Sequence, residues 1–363
     1  MLGVNHEFPG AFSTQASSRV KVLEKLGLIK TEPVQIYEIT GRPVCDYDGT
    51  CEEGENPSCL DCKNSEEEPT APPERCTPEG QTPWGIIKVN GGSGGADIKV
   101  AVLDTGVYKD HLDLTERMAI CMDFTRYPRV ANNACNDGNG HGTHVAGTIL
   151  ADGGIDGLGI LGVAPEAKLM AYKVLKDNGR GYSDDIAAAI DQAVSDGANI
   201  ISMSLGGALP DSIMKSAIDG AVNSGVLVIA AAGNSGPASN SIIYPAAYAE
   251  VVAIAAFNSL DRIADFSSRG MNDGDWTVQE REIEFAAPGV AVESTWNNGC
   301  YYSISGTSMA TPHIAGIAAR DWQGTAVDTR AYLQDLAKYY TNNTLDYGQT
   351  GDDIEAGFGL PIN

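Results

Sequence analysis

Ile98-Lys-Val-Ala-Val-Leu103 runs straight into Asp104-Thr-Gly106, and the fold turns on how this stretch is read. A nearly unbroken apolar run closed by a turn-forming triplet is what a strand buried on both faces of a parallel sheet requires. Leu169–Leu175, Asn199–Leu205, Val226–Ala232 and Val251–Ala256 read the same way. Helices are predicted between them. Ser183–Val194 sets Ile186, Ile190 and Val194 on one face, with Ser183 expected as the cap and Asp184 and Asp185 at the positive end. Asp211–Asn223 is a second helix. This alternation predicts an α/β fold, a doubly wound, mostly parallel sheet with helices on both faces. Functional residues in such a sheet gather at the carboxyl ends of the strands, where Asp104 stands.

Outward from this core, composition separates three zones: residues 1–44, 45–80 and 81–363. The first carries a helix-like segment, Ser18–Gly27, and a strand-like run, Val34–Ile39. Its five Lys/Arg against four Glu make it almost neutral. The second holds Cys45, Cys51, Cys59, Cys62 and Cys76, the acidic run Glu66–Glu68, and the proline-rich Pro69–Pro73. It reads as a linker around a small stapled module. Without a His in the cluster, disulfides are favoured over zinc. The net charge of −24 therefore lies wholly beyond residue 44 and excludes nucleic acid as a natural partner. No apolar run is long enough to predict a membrane span. Met1-Leu-Gly-Val-Asn-His-Glu7 has neither the basic nor the apolar region of a signal peptide, although the cysteines suit a secreted protein.

Two further motifs carry chemistry. Asn139-Gly-His141-Gly-Thr-His144-Val-Ala-Gly147 opens a helix with two histidines three residues apart. A metalloprotease helix would need His at i and i+4 with a Glu between them, which is absent. His141 is expected at the helix start, with His144 one turn deeper and structural. Ile304-Ser-Gly-Thr-Ser308-Met-Ala-Thr-Pro312 delivers a hydroxyl near a helix N-terminus, where the positive field favours a developing oxyanion. Asp-Thr-Gly also occurs in aspartic proteases, but those need a second such loop and an all-β chain, and neither is present.

Taken together, in the order Asp, His, Ser, these motifs resemble the subtilisin-like family (subtilases) across residues 81–363. Ala164-Pro165, Ser202–Gly207, Ala231-Ala-Gly-Asn234, Phe266–Ser268 and Ala287–Gly289 extend the likeness. The resemblance implies a serine endopeptidase, a monomer acting on proteins and peptides without a catalytic cofactor. Asp104, His141 and Ser308 would form the triad, with Asn234 the side-chain donor of the oxyanion hole. A substrate strand would be clamped between Gly179–Gly181 and Ser204-Leu205-Gly206, and Ala232 and Gly233 would help wall the pocket before the cleaved bond. Ile243 departs from the glycine many relatives carry there, which predicts a shallow pocket.

The resemblance also implies structural calcium. Asp113 is the expected ligand, with Asp152 in the partner loop. Residues 1–44 look like the end of a pro-segment that inhibits the site within the same molecule. The maturation cut is expected between about Cys62 and Thr82. A Cys121–Cys135 disulfide would close a loop of about 15 residues and contribute roughly 3 kcal/mol. Cys300 is left either free or paired with the odd cysteine of the 45–76 cluster. Broad specificity with self-processing is the leading functional expectation. An intracellular or selective processing subtilase is the alternative in the same class, and a silent binding protein the alternative from another.

Overall fold

The structure is a computed structural model and describes residues 4–8, 11–14, 32, 34–42, 76–125, 130–343 and 352–362. The helix-like Ser18–Gly27 and the cysteines Cys45, Cys51, Cys59 and Cys62 lie outside the described residues. In the N-terminal zone, β1 (Val4–Phe8) and β2 (Ala11–Thr14) pair antiparallel. They are followed by β3 (Ile36–Ile39) and β4 (Gly41–Arg42).

The short helix α1 (Trp84–Lys88) opens the main body. Its strands are β5 (Lys99–Asp104), β6 (Met118–Asp123), β7 (Ala131–Asn132), β8 (Lys168–Lys173), β9 (Arg180–Tyr182), β10 (Ile200–Met203), β11 (Leu205–Gly206), β12 (Leu227–Ala231), β13 (Val252–Phe257) and β14 (Phe285–Pro288). The hairpin β15 (Val292–Thr295) and β16 (Tyr301–Gly306) follows. The helices are α2 (His141–Leu150), α3 (Ser183–Ser195), α4 (Ser212–Asn223), α5 (Thr307–Arg320) and α6 (Ala326–Asn343).

Eight strands form the central sheet in the order β14-β13-β12-β10-β5-β8-β6-β7. Every neighbouring pair is parallel except β6 with β7. Apolar continuity explains the five central strands. Val100 to Leu103 are at most 1 % exposed, and each such Val or Leu contributes about 1.5–3 kcal/mol by leaving water. From β5 the chain builds outward through β6 and β8 on one side, and later through β10, β12, β13 and β14 on the other. The crevice where the winding reverses lies at the end of β5, which is Asp104.

The helix α3 begins where the sequence predicts, but its cap differs. Tyr182 holds the N-cap position, and no side chain caps it. The Ser183 hydroxyl instead accepts the Gln35 N–H at 3.1 Å. The Gln35 backbone of the N-terminal zone thus engages the hydroxyl expected to cap, and its carbonyl accepts the Ser183 N–H at 3.0 Å. In α4 the Asp211 carboxylate does cap, accepting the Met214 N–H at 2.9 Å.

Candidate active site

Asp104 ends β5 and His141 begins α2, and their junction is packed without slack. Gly140 caps α2 at φ 110°, a conformation that glycine adopts freely. A Cβ on Gly142 would lie 2.1 Å from the Gly106 carbonyl oxygen, so only glycine lets the helix start this close to the strand end. The imidazole Nδ1 of His141 is 2.8 Å from Asp104 Oδ1, which also accepts the Thr105 N–H at 2.7 Å. Both side chains are at most 2 % exposed. Nε2, on the other side of the ring, has no hydrogen-bond partner among the described residues.

Asp137 is a site residue that the motifs did not reveal. Its Oδ1 accepts from the Thr105 hydroxyl and from the Asn139 and Gly140 N–H groups, each at 2.9 Å. Oδ2 accepts from the Thr143 N–H at 2.9 Å and its hydroxyl at 2.6 Å. One buried carboxylate therefore satisfies the open donors at the start of α2 and ties them to the residue after Asp104. The Cys121–Cys135 disulfide forms two residues before it, as the spacing suggests.

Ser308 is the second residue of α5, after Gly306 and Thr307. Pro312 has no N–H to give the Ser308 carbonyl four residues back. That carbonyl accepts the Ser204 hydroxyl instead, at 2.8 Å. In return the Ser308 hydroxyl donates to the Ser204 carbonyl at 3.0 Å. Asn234 is aimed by Thr307, since Asn234 Oδ1 accepts the Thr307 N–H at 3.0 Å and the Thr307 hydroxyl at 2.9 Å. With Oδ1 so engaged, Nδ2 must face the cleft.

The cleft contains residues 36–42 of the chain's own N-terminal zone. The strand β3 lies between β11 and β9, antiparallel to both, pairing Ile39 with Leu205, Glu38 with Gly206 and Tyr37 with Gly181. The Ile39 N–H donates to the Gly179 carbonyl at 3.1 Å and the Thr40 N–H to the Ser204 carbonyl at 3.3 Å. The Thr40 and Ser308 hydroxyl oxygens are 2.6 Å apart. Asn234 Nδ2 donates to the Thr40 carbonyl oxygen. Beyond that carbonyl the chain continues on β16, with Gly41 opposite Gly306 and Arg42 opposite Ser305.

Gly179, Gly181, Ser204, Leu205 and Gly206 thus all meet one extended segment. Ala232 is fully buried, and its carbonyl accepts the Ile243 N–H at 3.0 Å. Ile243 fills the space between two walls. A Cβ on Gly206 would lie 2.3 Å from its Cδ1, and one on Gly233 would lie 2.9 Å from its Cγ1.

The metal candidates separate. Asp113 Oδ2 accepts the Ile160 N–H and the Tyr301 hydroxyl, each at 2.9 Å. Its Oδ1 faces Gly159 so closely that a Cβ there would lie 1.8 Å away. Burial pushes the Asp113 carboxyl above its usual range. Asp152 is instead ion-paired with Arg117 at 2.8 Å, and its other oxygen accepts the Gly154 N–H at 3.1 Å. A guanidinium on Asp152 does not fit the expectation that Asp152 and Asp113 share one cation. Among the described residues, no three Asp, Glu, His or Cys side chains converge as a metal site.

His144 is structural, as expected from its place one turn in. It is fully buried, with Nε2 2.8 Å from the Val292 carbonyl and 3.1 Å from that of Tyr302. Cys300 pairs with Cys76. No helix among the described residues is long and apolar enough to cross a membrane.

Comparison with known proteins agrees with this architecture. A family model described as the subtilase family matches residues 95–359. The chain is 49 % identical over 303 residues to a subtilisin of Bacillus sp. (strain TA39), covering 77 % of this chain and 71 % of that protein. Identity to subtilisin E of Bacillus subtilis (strain 168) is 38 % over 285 residues, covering 76 % and 70 %. Among solved structures, sphericase and the S41 psychrophilic protease each superpose with a TM-score of 0.74 at 47 % identity, covering 78 % of this chain and 99 % of theirs. With a matched family model over most of its length and relatives this similar, the chain belongs to the subtilase family and is a serine endopeptidase.

Proposed function

We propose that the protein hydrolyses peptide bonds through Asp104, His141 and Ser308, by way of an acyl-enzyme on Ser308. The observation that carries this reading is the Thr40 carbonyl, which meets Asn234 Nδ2 beside the Ser308 hydroxyl. His141 Nε2 would take the Ser308 proton and pass it to the leaving amine. Asp104 holds Nδ1 and would stabilise the imidazolium. Asn234 and the Ser308 N–H would carry the oxyanion, and loss of such an Asn, measured within this family, costs about 10²–10³ in kcat.

Substrates would enter as a strand between β9 and β11. There the backbone provides affinity and the pockets provide choice. Ile243 narrows the pocket before the bond, which suits short side chains such as that of Thr40. Specificity would otherwise be broad, because most of the clamp is backbone. The N-terminal zone acts as an inhibitor within the same molecule and is removed by self-processing. The Cys76–Cys300 and Cys121–Cys135 disulfides favour an oxidising, extracellular setting. Subtilisins in general bind structural calcium. Asp113 Oδ1, and not Asp152, is the carboxylate that would meet such an ion.

A fluorophosphonate probe tests the mechanism. It should label Ser308, and His141→Ala should abolish labelling in a folded protein. Labelling elsewhere, or undiminished labelling without His141, would refute the assignment.

A further inference from the structure

The register across the nucleophile identifies a particular peptide bond. Upstream, Tyr37, Glu38 and Ile39 are paired on β9 and β11. Downstream, Gly41 and Arg42 are paired on β16, the strand that leads into Ser308. The bond between the two pairings is Thr40–Gly41, and its carbonyl oxygen is the one that Asn234 holds. Two of the side chains there, those of Thr40 and Tyr37, are seated as well as the backbone. Thr40 is 7 % exposed and Tyr37 is fully buried, its ring 3.5 Å from where a Cβ on Gly207 would stand.

Residues 76–84 are arranged quite differently. Cys76 is bonded to Cys300, the Glu79 N–H donates to Glu293 at 3.0 Å, and the Trp84 indole donates to the Ala291 carbonyl at 2.9 Å. These contacts lie on the β15–β16 hairpin and the turn before it, and none of them reaches Ser308. The stretch between therefore begins at Arg42, opposite Ser305, and ends at Cys76, bonded to Cys300, so both ends sit on the same hairpin.

We propose that the chain cleaves its own Thr40–Gly41 bond, so that the mature enzyme begins at Gly41 and keeps the cysteine-rich stretch 45–76. This rests on the protease reading above and places the cut upstream of the expected window between Cys62 and Thr82. Ser308 Oγ bonds to the Thr40 carbonyl carbon as its proton moves to His141 Nε2. The Thr40 C–Gly41 N bond then breaks, and His141 returns the proton to the Gly41 amine. Water hydrolyses the Thr40 ester, which releases Thr40 as a carboxylate and restores the Ser308 hydroxyl. No other co-reactant is needed. The acidic, cysteine-rich stretch lies downstream of the cut in sequence and so stays joined to the catalytic domain.

The test follows the full chain by intact mass and N-terminal sequencing from the earliest time point, beside a fluorophosphonate label. The first new N-terminus should be Gly41. Ser308→Ala should remain one uncut chain, and Gly41→Pro should block this cut. Asn234→Ala, a milder change, should slow the same cut by about 10²–10³ without moving it. A first N-terminus anywhere else in an enzyme labelled on Ser308 would overturn this proposal and leave the protease reading standing. An uncut chain that also resists the label would sink both.

Discussion

Thr307 offers a sharp test of how Asn234, the proposed oxyanion donor, is aimed. Its hydroxyl donates to Asn234 Oδ1 at 2.9 Å and accepts the Gly233 N–H at 3.1 Å. Thr307→Val keeps the shape and removes both bonds. Asn234 Oδ1 would then keep the Thr307 N–H, at 3.0 Å, and lose the hydroxyl. A neutral hydrogen bond contributes about 1 kcal/mol net, which converts to about a fivefold change. Total loss of the Asn sets a ceiling of about 10²–10³. We therefore expect kcat to fall about 5- to 10-fold with KM within twofold, because the aim of Nδ2 matters most once the oxyanion forms. The assay is hydrolysis of Tyr-Glu-Ile-Thr-p-nitroanilide, copied from residues 37–40, per active site titrated with the fluorophosphonate. Thr307→Ser, which keeps the oxygen, should recover most of the rate. A Val variant as fast as the parent, or a Ser variant as slow as Val, would refute the reasoning.

Ile243→Gly should open the pocket before the bond and shift the Phe-to-Thr preference about 10- to 100-fold toward Phe, the range expected for burying a large apolar side chain. A parent enzyme that already prefers Phe strongly would contradict the shallow pocket. Asp137→Ala leaves three N–H groups and two hydroxyls without their acceptor. It should lower stability by about 3–5 kcal/mol, read by thermal unfolding in a Ser308→Ala background, and a shift within error would remove Asp137 as the hub of the loop. Burial holds His144 down to about 3 and His313 down to about 4, against an ordinary 6.5. Because both folded values lie below the unfolded one, their contribution is complete above pH 6.5 and is lost as pH falls toward 4 and below. Between pH 8 and 5 the pair should cost about 4 kcal/mol, and His313→Leu should lose about 2 kcal/mol less over that interval. Equal pH dependence in parent and variant, by urea unfolding, would refute the assignment.

Local sequence carried a great deal. A strand buried on both faces has to be apolar throughout, so β5, β8, β10, β12 and β13 were legible within a residue or two. The proposed triad of Asp104, His141 and Ser308 was readable because each sits in a short motif whose glycines and small residues answer a steric demand made within a few residues. The Cys121–Cys135 disulfide belongs with them, since its loop is short. Other features join segments that no window of sequence links. Thr40 meets Ser308 across 268 positions, Cys76 meets Cys300 across 224, and the Ser183 hydroxyl meets Gln35 across 148. Asp137 reads in sequence as one more surface acid in a chain with 48 of them. Burial against donors from β5 and α2 makes it a hub. The sequence could say that residues 34–39 prefer to be extended, because a strand is a local preference. Which edges that strand would join, and so which peptide bond would lie beside Ser308, depended on the N–H and C=O groups that β9, β11 and β16 offer at their edges. Only the folded sheet brings those groups to the same place.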